Sequence, residues 1–211
     1  MHVPLQLEHI DLGNATISLF VPESAAVQAA YHAEIAAGRP VVFPYWAKIW
    51  PSAIVLAKYL ASRPELYSGR TVIELAAGLG LPSLVTAKWA GKVISSDYIP
   101  AAVDTIRKSV IHNRYTNMDV LELDWNKLPE KLHGGLLLLS DINYDQAEFL
   151  QLKVLVEKFI AQGTTILLAT PQRLTAKPFI AAIAAFITEQ ESFTEFSLHE
   201  SMEISVLQLN N

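Results

Sequence analysis

The chain has 211 residues, of which 51% are apolar and 18% charged, so it can bury a large core and carries no disorder signal. A net charge of −5 offers no broad positive field to a nucleic-acid backbone, and no nucleic-acid partner is expected. The absence of cysteine excludes disulfides, thiolate zinc sites and thiol catalysis, and it suits a reducing compartment.

Residues 5–21 alternate apolar and polar side chains around Asp11-Leu12-Gly13-Asn14, which predicts a hairpin. Pro22 is expected to open a helix running to residue 37 and closed by Gly38 and Pro40. An aromatic loop follows, Phe43-Pro44-Tyr45-Trp46-Ala47-Lys48-Ile49-Trp50-Pro51, and then a helical pattern over 52–61. From residue 71 short apolar strands (71–75, 92–96, 118–123, 136–140, 164–169) alternate with helices (82–90, 100–113, 146–162, 175–190). That alternation argues for a parallel sheet covered on both faces. The runs 192–198 and 203–209 have no helix between them and should pair as an antiparallel hairpin. The expected fold class is α/β, a Rossmann-like, mostly parallel seven-stranded sheet ending in that hairpin. Residues 1–50 form an extension with a covering loop, and 51–211 a single compact unit.

No apolar run approaches the roughly 18 residues needed to cross a bilayer. No basic segment followed by an apolar stretch opens the chain, so a cytoplasmic protein without a membrane partner is expected. His2, His9, His32, His112, His133 and His199 are scattered and form no close ligand pair, so no metal site is expected. Neither a Gly-x-Ser-x-Gly elbow nor a phosphate loop ending in Gly-Lys-Ser/Thr is present.

Thr71-Val72-Ile73-Glu74-Leu75-Ala76-Ala77-Gly78-Leu79-Gly80-Leu81-Pro82 carries a strand into small residues and then into a helix opened by proline. Ligands of open α/β sheets bind where such strands end, and small residues let the backbone approach them. The glycines come near the dinucleotide fingerprint G-x-G-x-x-G, so a nicotinamide enzyme must be weighed. Glu74 argues against it, because a carboxylate there opposes a pyrophosphate but suits a ligand with an amino-acid end. About seventy residues also precede this strand, whereas a nicotinamide domain usually begins near it. Asp97, closing the second strand, can accept both hydroxyls of a ribose, or cap the helix at Pro100. Tyr98 suits packing on adenine or in the core. Asp124 can accept from an adenine amino group beside the flat wall of Trp125, or cap a turn.

Trp50-Pro51-Ser52-Ala53-Ile54-Val55-Leu56, Glu74-Leu75-Ala76-Ala77-Gly78-Leu79-Gly80, Asp97, Leu123-Asp124-Trp125 and Asp141-Ile142-Asn143-Tyr144 follow one another in family-like spacing. Together they resemble the class I S-adenosylmethionine-dependent methyltransferases of the lysine methyltransferase group, methyltransferase family 16, from about residue 46 onward. The resemblance implies a class I methyltransferase fold, S-adenosylmethionine as cofactor, and methyl transfer to nitrogen, with a protein lysine as the first expectation. It implies Trp50 beside the cofactor, Ala76, Ala77 and Gly78 around its methionine part, Asp97 on the ribose, Trp125 on the adenine and Ser140 on the adjoining wall. Asp141 and Tyr144 fall on the family's D-x-x-Y pattern, where methyl donor and acceptor meet. Ala76 stands where the family usually has glycine, and the N-terminal segment matches no member we can name.

Methyl transfer is an in-line displacement, so a site must align nucleophile, methyl and sulfur and exclude water. A lysine acceptor must also lose a proton, at a cost of about 4–5 kcal/mol at pH 7 for a pKa near 10.4. Asp141 is expected to accept a hydrogen bond from the acceptor amine, and Tyr144 to wall its channel. The faces of Trp46 and Trp50 can favour a sulfonium or ammonium by about 0.5–2 kcal/mol. Asp141-Ile142-Asn143-Tyr144 lacks both prolines of the D/N-P-P-Y/F motif used on amide and nucleobase nitrogens, which points away from such acceptors. A small nitrogenous metabolite as acceptor, and a non-catalytic cofactor-binding module, remain as alternatives.

Overall fold

The computed structural model describes residues 3–197 and 200–211. Met1, His2, Leu198 and His199, and so the end of the expected strand 192–198, lie outside the described residues. Strands β1 (Leu5–Asp11) and β2 (Thr16–Pro22) pair antiparallel, Leu5 opposite Pro22. Helices α1 (Ser24–Ala36) and α2 (Pro51–Ala61) follow, Pro51 opening α2 where its missing N–H costs nothing. The alternating part comprises β3 (Thr71–Glu74), α3 (Leu81–Thr86), β4 (Lys92–Asp97), α4 (Pro100–Asn113), β5 (Met118–Glu122), β6 (Leu136–Ser140), α5 (Phe149–Ala161), β7 (Thr165–Pro171) and α6 (Lys177–Ile183). Strands β8 (Ile187–Ser197) and β9 (Glu200–Leu209) complete a seven-stranded sheet, among the described residues, in the order β5-β4-β3-β6-β7-β9-β8. The first five are parallel; β9 runs antiparallel to both β7 and β8.

Both faces of the sheet are buried, which is why Leu136-Leu137-Leu138-Leu139 reads as one apolar run. Val72, Leu136, Leu138 and Leu167 face α2, α3 and α4 through Leu56, Leu60, Leu84 and Ile106. Ile73, Leu137, Leu139 and Leu168 face α5 and α6 through Val156, Phe159, Phe179 and Ile183.

Three boundaries differ from those read in the sequence. Pro22 ends β2 rather than opening a helix: it lacks an N–H but suits a strand terminus, and α1 begins at Ser24. The helix expected over 82–90 stops at Thr86 and continues as tighter turns, the Lys88 and Trp89 amides donating three residues back to the Val85 and Thr86 carbonyls. The helix expected over 175–190 is α6 alone. Ile187 and the residues after it are β-branched or paired with β9, and tertiary pairing overrides the helical propensity of the alanines before them.

The N-terminal hairpin is docked on the sheet unit rather than tethered to it. Ile17 and Leu19 are buried in the same core as α4. The Phe20 amide donates to Ser109 Oγ at 2.9 Å, and Asn113 Nδ2 donates to the Ser18 carbonyl at 2.6 Å. At the far edge of the sheet β8 is tied back to α2 by ion pairs of Lys58 with Glu195 at 2.8 Å and Arg63 with Glu191 at 3.0 Å. Since Leu19 is fully buried, Leu19→Ala should destabilise the whole protein by about 2–4 kcal/mol in a single denaturant transition. A separate early transition, with the main one unshifted, would show that the hairpin folds apart from the sheet.

Candidate active site

From β3 the chain passes through α3 to β4 and β5, then crosses back to place β6 on the other side of β3. This reversal opens a crevice at the carboxyl ends of β3 and β6, the position where open α/β sheets bind ligands. A cavity of about 720 Å³ lies there, within the range of small-molecule sites. Its floor is the turn after β3, where Ala76, Gly78 and Gly80 take φ of +51°, +57° and +71°. Gly78 suits its left-handed backbone, and the Trp46 carbonyl of the aromatic loop lies directly over it, at ordinary contact distance.

Asp97, at the end of β4, is 5% exposed and lines the cavity. Its Oδ2 accepts from the Gly78 amide at 2.9 Å and its Oδ1 from the Ile99 amide at 3.0 Å. Burial pushes this carboxyl above the usual carboxylate range, and the backbone amides pull it back in part. Tyr98 is half exposed on the same wall, next to Asp124 and Trp125. Asp124 Oδ1 accepts from the Asn126 amide at 2.9 Å, so it caps the turn over Trp125–Lys127 and lines the cavity as well. Trp125 packs partly into the core on the α5 side, and Ser140, half-buried at the end of β6, completes this wall.

Glu74 is the correction. It was expected at the ligand, yet it is 1% exposed and absent from the cavity wall. Its Oε2 accepts from both the amide (2.9 Å) and the hydroxyl of Ser83, fastening the first turn of α3 to β3. Burial pushes its carboxyl up to about 8, so near neutrality it is held mostly as the acid. An expected negative charge is therefore a neutral structural clamp.

The aromatic loop forms the roof. Trp50 lines the cavity and donates its Nε1–H to the Tyr45 carbonyl at 2.8 Å, while the Lys48 ammonium stands 4.8 Å from its ring centre. A chain of rings runs from Tyr31 on α1 to Phe43 (5.4 Å), Tyr45 (4.7 Å) and Tyr144 (5.2 Å), joining the N-terminal part to the loop after β6.

In that loop Ile142 is buried in the core, and Asn143 Oδ1 accepts from Thr170 Oγ1 at 2.9 Å. These two anchors leave Asp141 and Tyr144 to line the cavity. Asp141 has φ of +53° and is 8% exposed. Its Oδ1 accepts from Arg173 Nη1 at 3.0 Å and its Oδ2 from Arg173 Nη2 at 3.2 Å. Burial raises the Asp141 carboxyl, and the charge and forked hydrogen bonds of Arg173 oppose the rise by favouring the carboxylate form. The turn that follows is capped by Asp145, whose Oδ1 accepts from the Ala147 amide at 2.9 Å. The sequence reading brought Asp141 and Tyr144 together but missed Arg173 and Lys48. Arg173 had a faint signal, as the first charged residue past the strand that neighbours β6.

Residues 45–192 match the model of a protein family described as lysine methyltransferase. The chain belongs to that family. The matched segment contains every strand that lines the cavity, and the N-terminal hairpin and α1 fall outside it. A histone-arginine methyltransferase of Mus musculus is 32% identical over 111 residues, covering 50% of this chain and 44% of that protein. An electron transfer flavoprotein beta subunit lysine methyltransferase of Danio rerio is 35% identical over 112 residues, 51% of this chain and 42% of that protein. A calmodulin-lysine N-methyltransferase of Arabidopsis thaliana is 39% identical over 84 residues, 37% and 28% of the two. The chain spans about half the length of the first of the curated relatives it matches. In fold it is similar to a T. thermophilus 16S rRNA methyltransferase solved with AdoMet and guanosine (TM-score 0.66, 17% identity, covering 100% of this chain and 51% of that one). It is also similar to the N-methyltransferase NodS of Bradyrhizobium japonicum solved with S-adenosyl-l-homocysteine (TM-score 0.60, 12% identity, 88% and 99%). Among the described residues no cluster of three or more His, Cys, Asp or Glu is arranged to hold a metal, and no helix is long and apolar enough to cross a membrane.

Two stability measurements follow from the floor of the site. Ala76 holds a left-handed backbone that glycine adopts freely, so Ala76→Gly should stabilise the protein by about 1 kcal/mol, or ~2–4 °C in Tm. Glu74 keeps its proton in the folded protein up to about pH 8 but ionises near 4.5 when exposed, so its stabilisation is full below 4.5 and lost as pH rises through about 8. Glu74→Gln should remove that loss, its advantage in Tm growing by several degrees between pH 5 and pH 8. A pH-independent difference would refute the buried acid.

Proposed function

We propose that this chain transfers a methyl group from S-adenosylmethionine to the side-chain nitrogen of a protein lysine. The observation that carries the reading is the union of two half-sites. A ligand cradle formed by the turn after β3 and Asp97 adjoins an acceptor-side pair, Asp141 and Tyr144, in one cavity.

The cavity residues fit the cofactor. Ala76, Ala77 and Gly78 would lie along its methionine part beneath Trp50. Lys48, which forms no salt bridge among the described residues, is a cation for the methionine carboxylate. Each Asp97 oxygen accepts one amide and retains a lone pair for a ribose hydroxyl. Tyr98, Asp124 and Trp125 suit the adenine. When bound, the cofactor supplies a methyl on a sulfonium; the acceptor nitrogen's lone pair forms the new N–C bond as the C–S bond breaks, its electron pair leaving on sulfur.

Asp141 accepts a hydrogen bond from the acceptor amine and so aims its lone pair. Tyr144 and Tyr45 narrow the approach and keep water from the reacting line. The amine must arrive neutral, and loss of water in a partly enclosed channel favours that form over the ammonium. Phe43, Tyr45 and Tyr144 are 44–50% exposed around the mouth, and exposed apolar rims accompany macromolecular partners. That supports a protein acceptor over a metabolite. In this reading residues 1–50 are the cover and substrate-facing part and 51–211 the catalytic unit. The absence of cysteine and the net charge of −5 support a cytoplasmic protein with no nucleic-acid partner.

Tritiated cofactor incubated with a cell lysate and the pure protein should label macromolecules; label confined to small molecules would redirect the reading to a metabolite. Asp141→Asn, which tolerates the same left-handed backbone, should lower turnover about 100-fold or more. Calorimetric affinity for the cofactor should stay within about threefold, since Asp141 lies on the acceptor side. Equal turnover would remove Asp141 from the chemistry.

A further inference from the structure

The named relatives include enzymes of two acceptor types, histone-arginine and protein-lysine methyltransferases. Within the function proposed above, and resting on it, the surroundings of Asp141 give a physical reason for choosing between them. A carboxylate presents four in-plane lone pairs, two facing inward between its oxygens and two outward at the edges. A guanidinium is held best when two parallel N–H groups meet the inward pair. At Asp141 that face is already taken: Arg173 donates Nη1 to Oδ1 at 3.0 Å and Nη2 to Oδ2 at 3.2 Å.

We propose that Arg173 is the specificity-determining residue of this site, filling the two-pronged face of Asp141 so that a lysine amine is accepted and an arginine guanidinium refused. An amine needs one acceptor, and either outward lone pair of Asp141 supplies it. An arginine acceptor would need a second fork on a carboxylate that has none to give. It would also carry a permanent positive charge to within a few ångströms of Arg173, whereas a lysine can enter as the neutral amine. The other cavity carboxylates stand elsewhere: Asp97 holds the Gly78 and Ile99 amides below the cradle, Asp124 and Asp145 cap turns, and Glu148 lies toward Tyr98, on the adenine side in this reading.

The arrangement is fixed rather than incidental. Ala169 accepts the Asp141 amide at 2.9 Å, keeping the strand ends side by side. On the other flank, the Gln172 amide donates to the Glu203 carbonyl at 3.0 Å, and its Nε2 to Ser205 Oγ at 3.1 Å. Arg173 is therefore held to its post from β9. Its side chain remains one-third exposed, on the cavity wall.

The test scores the residue modified rather than the rate alone. Pure protein, tritiated cofactor and cell lysate are incubated, and the labelled protein is hydrolysed and resolved into methyl-lysine and methyl-arginine. The wild-type protein should give methyl-lysine in at least about 100-fold excess, the scale of discrimination that one unsatisfied polar arrangement supports. Arg173→Met should lower that ratio at least tenfold. Arg173→Lys keeps the charge but not the fork; it should retain more lysine turnover than Arg173→Met and hold an intermediate ratio. Calorimetry with S-adenosylhomocysteine verifies that each variant retains the folded cofactor site. Methyl-arginine as the main wild-type product overturns the proposal while leaving methyl transfer standing. An unchanged ratio in either variant that binds the cofactor overturns it too. No protein label from a wild type that binds the cofactor instead brings down the underlying reading of function.

Discussion

β3 and β6 are paired neighbours whose chains continue to opposite sides of the sheet, and the backbone must leave both carboxyl ends without filling the crevice between the departing loops. Four residues meet that demand by turning left-handed: Ala76, Gly78 and Gly80 on one side and Asp141 on the other. Only glycine does so without cost; aspartate adopts it at a small cost and alanine at a larger one. The cavity is thus bordered by a backbone constraint, and the Trp46 carbonyl of the roof rests directly over one of these residues, Gly78.

Three buried carboxyl groups then have to be accommodated within one small region, and each is treated differently. Glu74 is kept protonated and receives two donors from Ser83. Asp97 is supported by backbone amides, the cheapest donors available at a strand-to-helix turn. Asp141 is matched by a guanidinium. Burying a lone carboxylate is expensive, and these three solutions remove the expense by proton, by dipole and by counter-charge. The choice tracks position: the proton lies beneath the floor of the cavity, the amides at the end of β4, and the full counter-charge on the wall beside the loop after β6.

Much of this was legible beforehand, for identifiable reasons. The parallel strands announced themselves because both of their faces are covered, leaving no polar alternation in Leu136-Leu137-Leu138-Leu139. Asp141 and Tyr144 could be paired because two anchored residues, Ile142 and Asn143, fix their spacing locally. Arg173 could not, since its contact joins positions 32 apart and exists only because β6 and β7 lie side by side. Glu74 was misplaced because position at a strand end does not say whether a side chain turns toward the ligand or toward the following helix. The over-long helix after residue 175 had a similar origin: its alanines favour helix, and nothing local reveals that β9 will claim Ile187.

The far border of the sheet closes the account. β8 offers an unpaired row of amides and carbonyls to the outside, and such a row is a template on which another chain can extend the sheet. Here that border carries Glu189, Glu191 and Glu195, two of them leashed to Arg63 and Lys58 of the same molecule. A second copy approaching edge to edge would have to bring its own carboxylates alongside these. The clasp that fastens the last hairpin to α2 thereby doubles as a repellent, discouraging strand-by-strand aggregation at high concentration.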